Sequence, residues 1–494
     1  MLAIVLIAEC LAACSKSKEN PDTESASPSV DTPVSDTKPE TESAPEGETE
    51  PDRLHVPDNL PPLDFGGATV TVHAFSVGEV KKEEQTGELV NDALYQRNEI
   101  VSKRLNVSIE AFASDGWENY NNSVDSIRAS IMAGDGAFDI VAGWSARIPT
   151  LSVEGLFLNL NKMDYLDLDA MWWNQSLVKD LQVAGQLHFL TGDIALSMLS
   201  SMYAYAFNQK VAADNQVEDL YAVVREHRWT LDYVNDLTAN LYKDLNGNGE
   251  TGDDDFYGLV TNCGNDADAF MQGARVSMLS RDEEGFPVLD VDEERMASLV
   301  EKVYTLLWEN PGVQPMVGGD VWSTNIDAFV EDRALLVTAV MSVIKSSTAD
   351  MESDFGLLPY PLYDENQPDY GTRVQDAVTL WSIPIDVRNS DMSAAVMEAL
   401  AAQSWRTVTP AFFDVALKYR YSRDKQTAEM LDLIRDNIFI NFECVYGESF
   451  NYPYHVMRNM MTEKYSNFAS YWRARKRATQ KALNDIVEKF RALG

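Results

Sequence analysis

Apolar and polar positions divide the chain into an opening stretch without periodicity and a long remainder in which two periods alternate. Residues 68–75 (ATVTVHAF) alternate and are rich in β-branched side chains, which predicts a strand. Residues 89–105 repeat apolar positions at three- and four-residue spacing and predict a helix. A second strand follows at 107–112, and a second helix at 120–133 that stops at Gly134. The continuous apolar run 138–142 (FDIVA) has the character of a strand buried in a parallel sheet. This order predicts an α/β sheet with its ligand site at the carboxyl ends of the strands. Beyond it the pattern predicts helices at 231–242 and 294–310, an apolar run at 334–343, and strands at 355–359 and 377–385. The last ninety or so residues read mostly as helix, ending with 474–493, where the basic cluster Arg473, Arg475, Lys476 and Arg477 reads as a solvated face.

With 494 residues, 45% of them hydrophobic, the chain has material for two or three structural units. The unpatterned start has two parts. Residues 1–13 are apolar except for Glu9 and are too short to span a bilayer as a mature helix, as expected of a signal peptide. Residues 15–62 are Ser, Thr, Pro, Glu and Asp with few large apolar side chains, so they predict a disordered, extended linker. Leu11-Ala12-Ala13-Cys14 at the junction resembles the lipobox of bacterial lipoproteins. That resemblance implies a lipid on the Cys14 thiol and attachment to the extracellular face of the cell membrane. The absence of Lys or Arg before the apolar run, and Glu9 inside it, depart from that pattern.

Charge narrows the function. Seventy-eight acidic residues against 40 basic ones give a net charge of -38, which repels nucleic acid and anionic lipid surfaces. The four cysteines match no metal spacing; Cys263 and Cys444 are read either as one disulfide or as two separate thiols. The five histidines are scattered, and no motif of a hydrolase, a P-loop or a dinucleotide site is present. One motif does stand out. Residues 244–255 (DLNGNGETGDDD) match the twelve-residue EF-hand spacing, with Asp244, Asn246 and Asn248 at positions 1, 3 and 5, Gly249 at 6, the Glu250 carbonyl at 7 and Asp255 at 12. Hard oxygen ligands at alternate positions of a coiling loop predict a structural Ca2+ site. Thr251 at position 8, and Asp255 where a longer Glu is usual, depart from the pattern.

From residue 138 onward a resemblance emerges. FDIVAGWSARIPTLSVEGLFLNL (138–160), GQLHFLTGDIALSMLSSMYAYAFNQKV (185–211), Arg228-Trp229-Thr230 before a helix, FVEDRA (329–334) and FGLLPYPLY (355–363) follow one another as do the corresponding blocks of extracellular solute-binding proteins of ABC importers. The chain resembles the carbohydrate-binding branch, which includes maltose-binding protein. The resemblance implies a monomer with a two-lobed periplasmic-binding-protein-like α/β fold, a hinge, an interlobe ligand cleft and a helix-rich C-terminus. It implies a receptor without enzymatic activity that closes on a sugar or oligosaccharide and delivers it to ABC permease subunits; a surface lipoprotein that senses or adheres to glycans without transport, or a receptor for a non-sugar solute, is the alternative. Residues 63–196 with 378–405 are expected in lobe 1, and 197–377 with 406–494 in lobe 2. The hinge crossings are expected near 193–197 and 377–381.

Sugar rings are recognised by flat aromatic side chains on their C–H faces and by charged or amide groups on their hydroxyls. Trp144, Ser145 and Arg147 follow the FDIVA strand at its carboxyl end and are the first candidates. Trp381 and Asp193 at the crossings, and Trp322 in the polar segment VWSTN, complete the expected set. Trp229, Trp308, Trp405 and at least one of Trp172 and Trp173 are expected in the core.

Overall fold

The structure, a computed structural model, describes residues 53–113, 120–317, 326–416 and 425–493. In chain order its strands are β1 (Ala68–Ala74), β2 (Val107–Phe112), β3 (Ile140–Trp144), β4 (Tyr203–Asn208), β5 (Tyr257–Asn262), β6 (Leu279–Arg281), β7 (Pro287–Leu289), β8 (Val313–Met316), β9 (Ala334–Val340), β10 (Phe355–Leu358) and β11 (Thr379–Ser382). One sheet has the order β11-β3-β1-β2 and a second the order β10-β4-β9-β5-β8, while β6 and β7 form a small hairpin. β1, β2 and β3 are mutually parallel, and β11 joins β3 antiparallel. In the second sheet β5 lies parallel to β8 and β9, and β4 is antiparallel to β9 and β10. All seven residues of β9 are buried, as expected of a central strand covered on both faces.

The helices follow the predicted pattern. Leu89–Leu105 buries Val90, Leu94, Val101 and Leu105; the Glu88 side chain accepts the Asn91 N–H at its start, and Asn106 ends it in a left-handed conformation. The C-terminal helix, Phe468–Leu493, begins six residues earlier than the pattern predicts, because Phe468, Tyr471 and Trp472 are buried and extend its apolar stripe.

Two crossings connect the sheets, and they run side by side. The first leaves Leu190, passes the short helix Leu196–Ser200 and enters β4; the second returns from β10 into β11. They pair antiparallel at Leu190 with Trp381 and at Met202 with Val374. Gly192 permits this course, since a Cβ there would strike the Trp172 carbonyl oxygen. The buried Glu79 carboxyl accepts from the Ser197 N–H (2.6 Å) and Oγ (2.8 Å) and from Thr379 Oγ1 (2.6 Å), so one side chain ties both crossings together. A third segment joins them, with Thr372 bridging in parallel to Ile438.

Three boundaries differ from the sequence reading. Residues 53–62 were expected in the linker, but Asp58 is buried and binds Arg104 (2.8 Å) and Arg406 (3.3 Å), which fixes this stretch to the first lobe. The helix Thr409–Ala416 packs on Leu89–Leu105 beside the first sheet, although 406–494 were expected in lobe 2. Phe442, Val445, Tyr446 and Phe450 likewise join the core of the first sheet, and Tyr446 meets Phe189 and the Ser152 hydroxyl. Cys263 and Cys444 are unpaired, and burial pushes each thiol up to about 12.

Candidate functional site

The carboxyl ends of β1 and β3 present an aromatic wall beside the crossings. Phe75 stacks on Trp144 (5.4 Å between centroids, 11° between planes), and Tyr120 meets Trp144 edge-on at 5.0 Å. The guanidinium of Arg147 lies over Tyr120 (4.7 Å) and Trp144 (5.5 Å). It also pairs with Glu448 and donates to the Tyr452 hydroxyl at 3.2 Å. Gly143 makes room for this turn, because a Cβ there would overlap Ile148.

Asp376, on the second crossing, connects this wall to the rest of the molecule. Its main-chain oxygen accepts from the Trp144 indole N–H and from Ser145 Oγ. Its carboxylate accepts from Arg373 (2.9 Å) and from the Tyr454 hydroxyl (3.0 Å), with His455 Nε2 at 3.9 Å. Burial alone would raise its pKa; the charges of Arg373 and Arg458 and the His455 contact outweigh burial and hold it far below the usual carboxylate range. Arg373 is itself buried between the rings of Tyr203 and Tyr454. Nearby, Arg458 binds Asp268 at the start of the Asn265–Gly273 helix (2.6 Å).

Beside the wall opens a cavity of about 680 Å³ bounded by Arg147, Glu448, Asp125, Arg128, Asp485 and Lys489, among others. That volume lies in the range of small-molecule sites. Tyr120, Trp144, Arg147, Glu448, Tyr452 and His455 are all only partly buried. Aromatic faces next to both acceptors and donors suit a neutral, hydroxyl-rich ligand.

No family model matches the chain, and no curated protein matches it. Solved structures do. The GacH receptor of Streptomyces glaucescens GLA.O, solved unliganded and with acarbose, aligns with a TM-score of 0.52 at 13% identity over 86% of this chain and 98% of its own. M. tuberculosis UspC aligns with a TM-score of 0.55 at 13% identity, over 84% of this chain and 100% of its own. An extracellular solute-binding protein family 1 member from Alicyclobacillus acidocaldarius gives 0.51 at 13% identity, over 84% and 99% of the two chains. The fold is that of the two-lobed extracellular solute-binding proteins. Identity this low establishes the fold alone.

In this solute-binding fold the residues expected from sequence have different fates. Trp144, Ser145 and Arg147 meet at the wall, although the Ser145 hydroxyl is buried and committed to Asp376. Trp381 does not reach a ligand. β11 is paired to β3 on one side and to Leu190 on the other, which leaves its indole wholly enclosed in the core. Asp193 is also unavailable, being buried and bonded to Thr409 Oγ1 (2.5 Å) and Arg435 (3.4 Å). Trp322 lies outside the described residues. Trp172, Trp173 and Trp229 are core residues, the last donating to the Pro359 carbonyl at 2.9 Å.

Tyr120, Arg373, Asp376, Glu448 and the aromatic group Tyr452, Tyr454 and His455 join the site without being legible as candidates in the sequence. One signal was visible: NYPYH (451–455) sets three aromatic side chains in a short polar loop, as binding loops often do.

The loop 244–255 folds back on itself. Asp244 accepts from the N–H groups of Gly247 (2.6 Å) and Gly249 (2.8 Å), Asn246 from Asn248 (3.0 Å), and Asn248 from Glu250 (2.7 Å). Gly247 and Gly249 supply the left-handed turns (φ 72° and 76°). Asp255 accepts from Leu245 (3.1 Å), Gly252 (3.0 Å) and the Tyr242 hydroxyl (2.9 Å). Among the described residues no three His, Cys, Asp or Glu side chains converge to hold a metal. The loop's donors are two carboxylates, two amides and a carbonyl, an all-oxygen set whose chemistry fits calcium.

Proposed function

We propose that this protein is the extracellular solute receptor of an ABC transporter, binding a sugar or oligosaccharide between its lobes and handing it to a membrane permease. The observation that carries this reading is the half-exposed wall of Phe75, Trp144, Tyr120 and Arg147 at the strand ends, bonded through Asp376 to the crossings about which the lobes would turn. A ligand stacked there favours the closed state only by what it gains from closure, and the Asp376 link gives it a route to the hinge. Two proteins of the same fold have been solved with sugar-type ligands, GacH with acarbose and a cyclo/maltodextrin-binding protein with maltotetraose. A receptor binds and releases its ligand unchanged, so no catalytic group is assigned.

The test is a thermal-shift and tryptophan-fluorescence screen over mono- and oligosaccharides, amino acids and peptides. Stabilisation by a sugar recovered intact supports the reading. Stabilisation by amino acids or peptides alone would overturn it, and release of a shorter sugar would make the protein a hydrolase.

Two further parts belong to the same proposal. Cys14 carries the lipid that holds the receptor, as a monomer, at the outer face of the membrane; Cys14→Ser should release it into the medium. Asp244, Asn246, Asn248, Asp255 and the Glu250 carbonyl hold Ca2+, which would brace the loop after the Leu231–Thr238 helix. A fall in Tm on adding a chelator, absent in Asp244→Ala, tests that site.

A further inference from the structure

The 680 Å³ cavity has one face of the C-terminal helix as its far wall, formed by Ala482, Asp485, Ile486 and Lys489. Earlier on the same face, Arg475, Ala478 and Thr479 line a second cavity of about 260 Å³ together with Tyr452, Asn459 and Trp472. These positions recur at three- and four-residue spacing, so a single stripe roofs both cavities. From Arg475 to Lys489 the stripe is about 21 Å long at 1.5 Å per residue.

The second cavity has the chemistry of a sugar subsite. Tyr452, only partly buried, supplies aromatic ring surface, and the exposed Asn451, Asn459 and Arg475 supply amide and guanidinium groups around it, over a buried floor that includes Tyr471, Trp472 and Thr479. The indole N–H of Trp472 is buried with no protein acceptor. At about 260 Å³ this cavity is smaller than the usual range for a whole ligand, which suits one unit of a longer one.

The turn between the cavities is strained. Asn451 and Tyr452 both adopt left-handed backbone conformations (φ 69° and 47°), a region that is costly for an aromatic residue and that recurs at functional sites. So held, Tyr452 bonds Arg147 on one side, lines the second cavity on the other, and stacks flat on His455 (4.8 Å, 1°).

We propose that the ligand is a linear oligosaccharide of several units laid along the C-terminal helix. It runs from the Arg147–Glu448 cavity to the Trp472–Asn459 cavity, with Tyr452 as the platform where it passes between them. This rests on the receptor reading above. The test measures binding of a length series, monosaccharide to hexasaccharide, from an array of linear glycans by calorimetry. For the wild type, affinity should rise at least about tenfold, or ~1.4 kcal/mol, from the shortest binder to the longest. Ala478→Trp, which fills the second cavity from an exposed position, should bring the long oligomers down to the affinity of the short ones. Asn459→Ala, also exposed, should weaken the long oligomers about threefold, roughly half the logarithmic change of a tenfold step. If a monosaccharide binds as tightly as the longest oligomer, or if both variants bind long oligomers as the wild type does, the two-cavity proposal fails and the receptor reading stands. If no glycan of any length binds the wild type, the receptor reading itself fails.

Discussion

Two regions of the molecule set a carboxyl group beside tryptophan and treat it in opposite ways. In the first lobe Glu398 accepts from the indole N–H groups of Trp172 (2.9 Å) and Trp173 (3.0 Å) and from the Asp167 N–H (3.3 Å). Those partners are neutral, so burial dominates and pushes its pKa up to about 8. At the crossings Asp376 has Arg373 and Arg458 near it, and their charge outweighs burial. The Trp144 indole there binds the main-chain oxygen and leaves the carboxylate to the cations. Burial raises both, although Asp376 is partly exposed and Glu398 is not; the sign of the neighbouring charge decides which group stays ionised. The core uses a neutral acid as a fixed bracket, whereas the crossings keep a charged network at the candidate site.

The comparison can be broken in order of size. Trp381→Ala should cost about 3–5 kcal/mol by opening a cavity in the core, read by urea unfolding, while ligand affinity per folded molecule stays the same. Loss of affinity in that variant would put Trp381 back in the site. Asp376→Asn should cost about 3 kcal/mol, because it strips the buried Arg373 of its nearest counter-charge, and here affinity should fall as well.

Glu398→Gln should cost about 1–3 kcal/mol, since an amide has one acceptor oxygen for two indole donors. It should also flatten a pH dependence. The folded-state pKa of Glu398, about 8, lies above its ordinary value of 4.5, so folding favours the protonated form. Its contribution is complete below pH 4.5 and is lost as the pH rises through about 8. Glu443, raised to about 7 chiefly by burial, should leave a smaller slope of the same sign in the variant. A wild-type stability that climbed over this interval, with the climb abolished in Glu398→Gln, would contradict the assignment. The smallest effect is Trp144→Phe, about 1 kcal/mol for one lost hydrogen bond, with most of the ligand-induced fluorescence change lost.

The legible parts of the fold were those written in local periodicity. β1, β2 and the Leu89–Leu105 helix lie where alternation and helical spacing put them, and the expected crossings at 193–197 and 377–381 fall within the segments that pair. Half of the candidate site was legible too, because Trp144 and Arg147 follow a recognisable strand. The other half was not. Glu448 meets Arg147 across 301 positions, and nothing local in either segment announces the partner. Trp144 and Trp381 show the limit most directly. They lie on the same face of adjacent strands, with Trp144 opposite Thr379 and Trp381 opposite Ala142. One is at the sheet's end and half-exposed, while the other, two residues further in, is covered.

The sequence by itself determined the α/β alternation, the strongly acidic character, the oxygen-rich loop at 244–255 and the strand end that carries Trp144, because each is a property of neighbouring residues. Tertiary structure alone decided that Asp193 and Trp381 belong to the core, that Asp376 joins the wall to the crossings, and that the C-terminal helix roofs two cavities. Those outcomes depend on which distant surfaces meet, and burial and charge pairing are set only when they do.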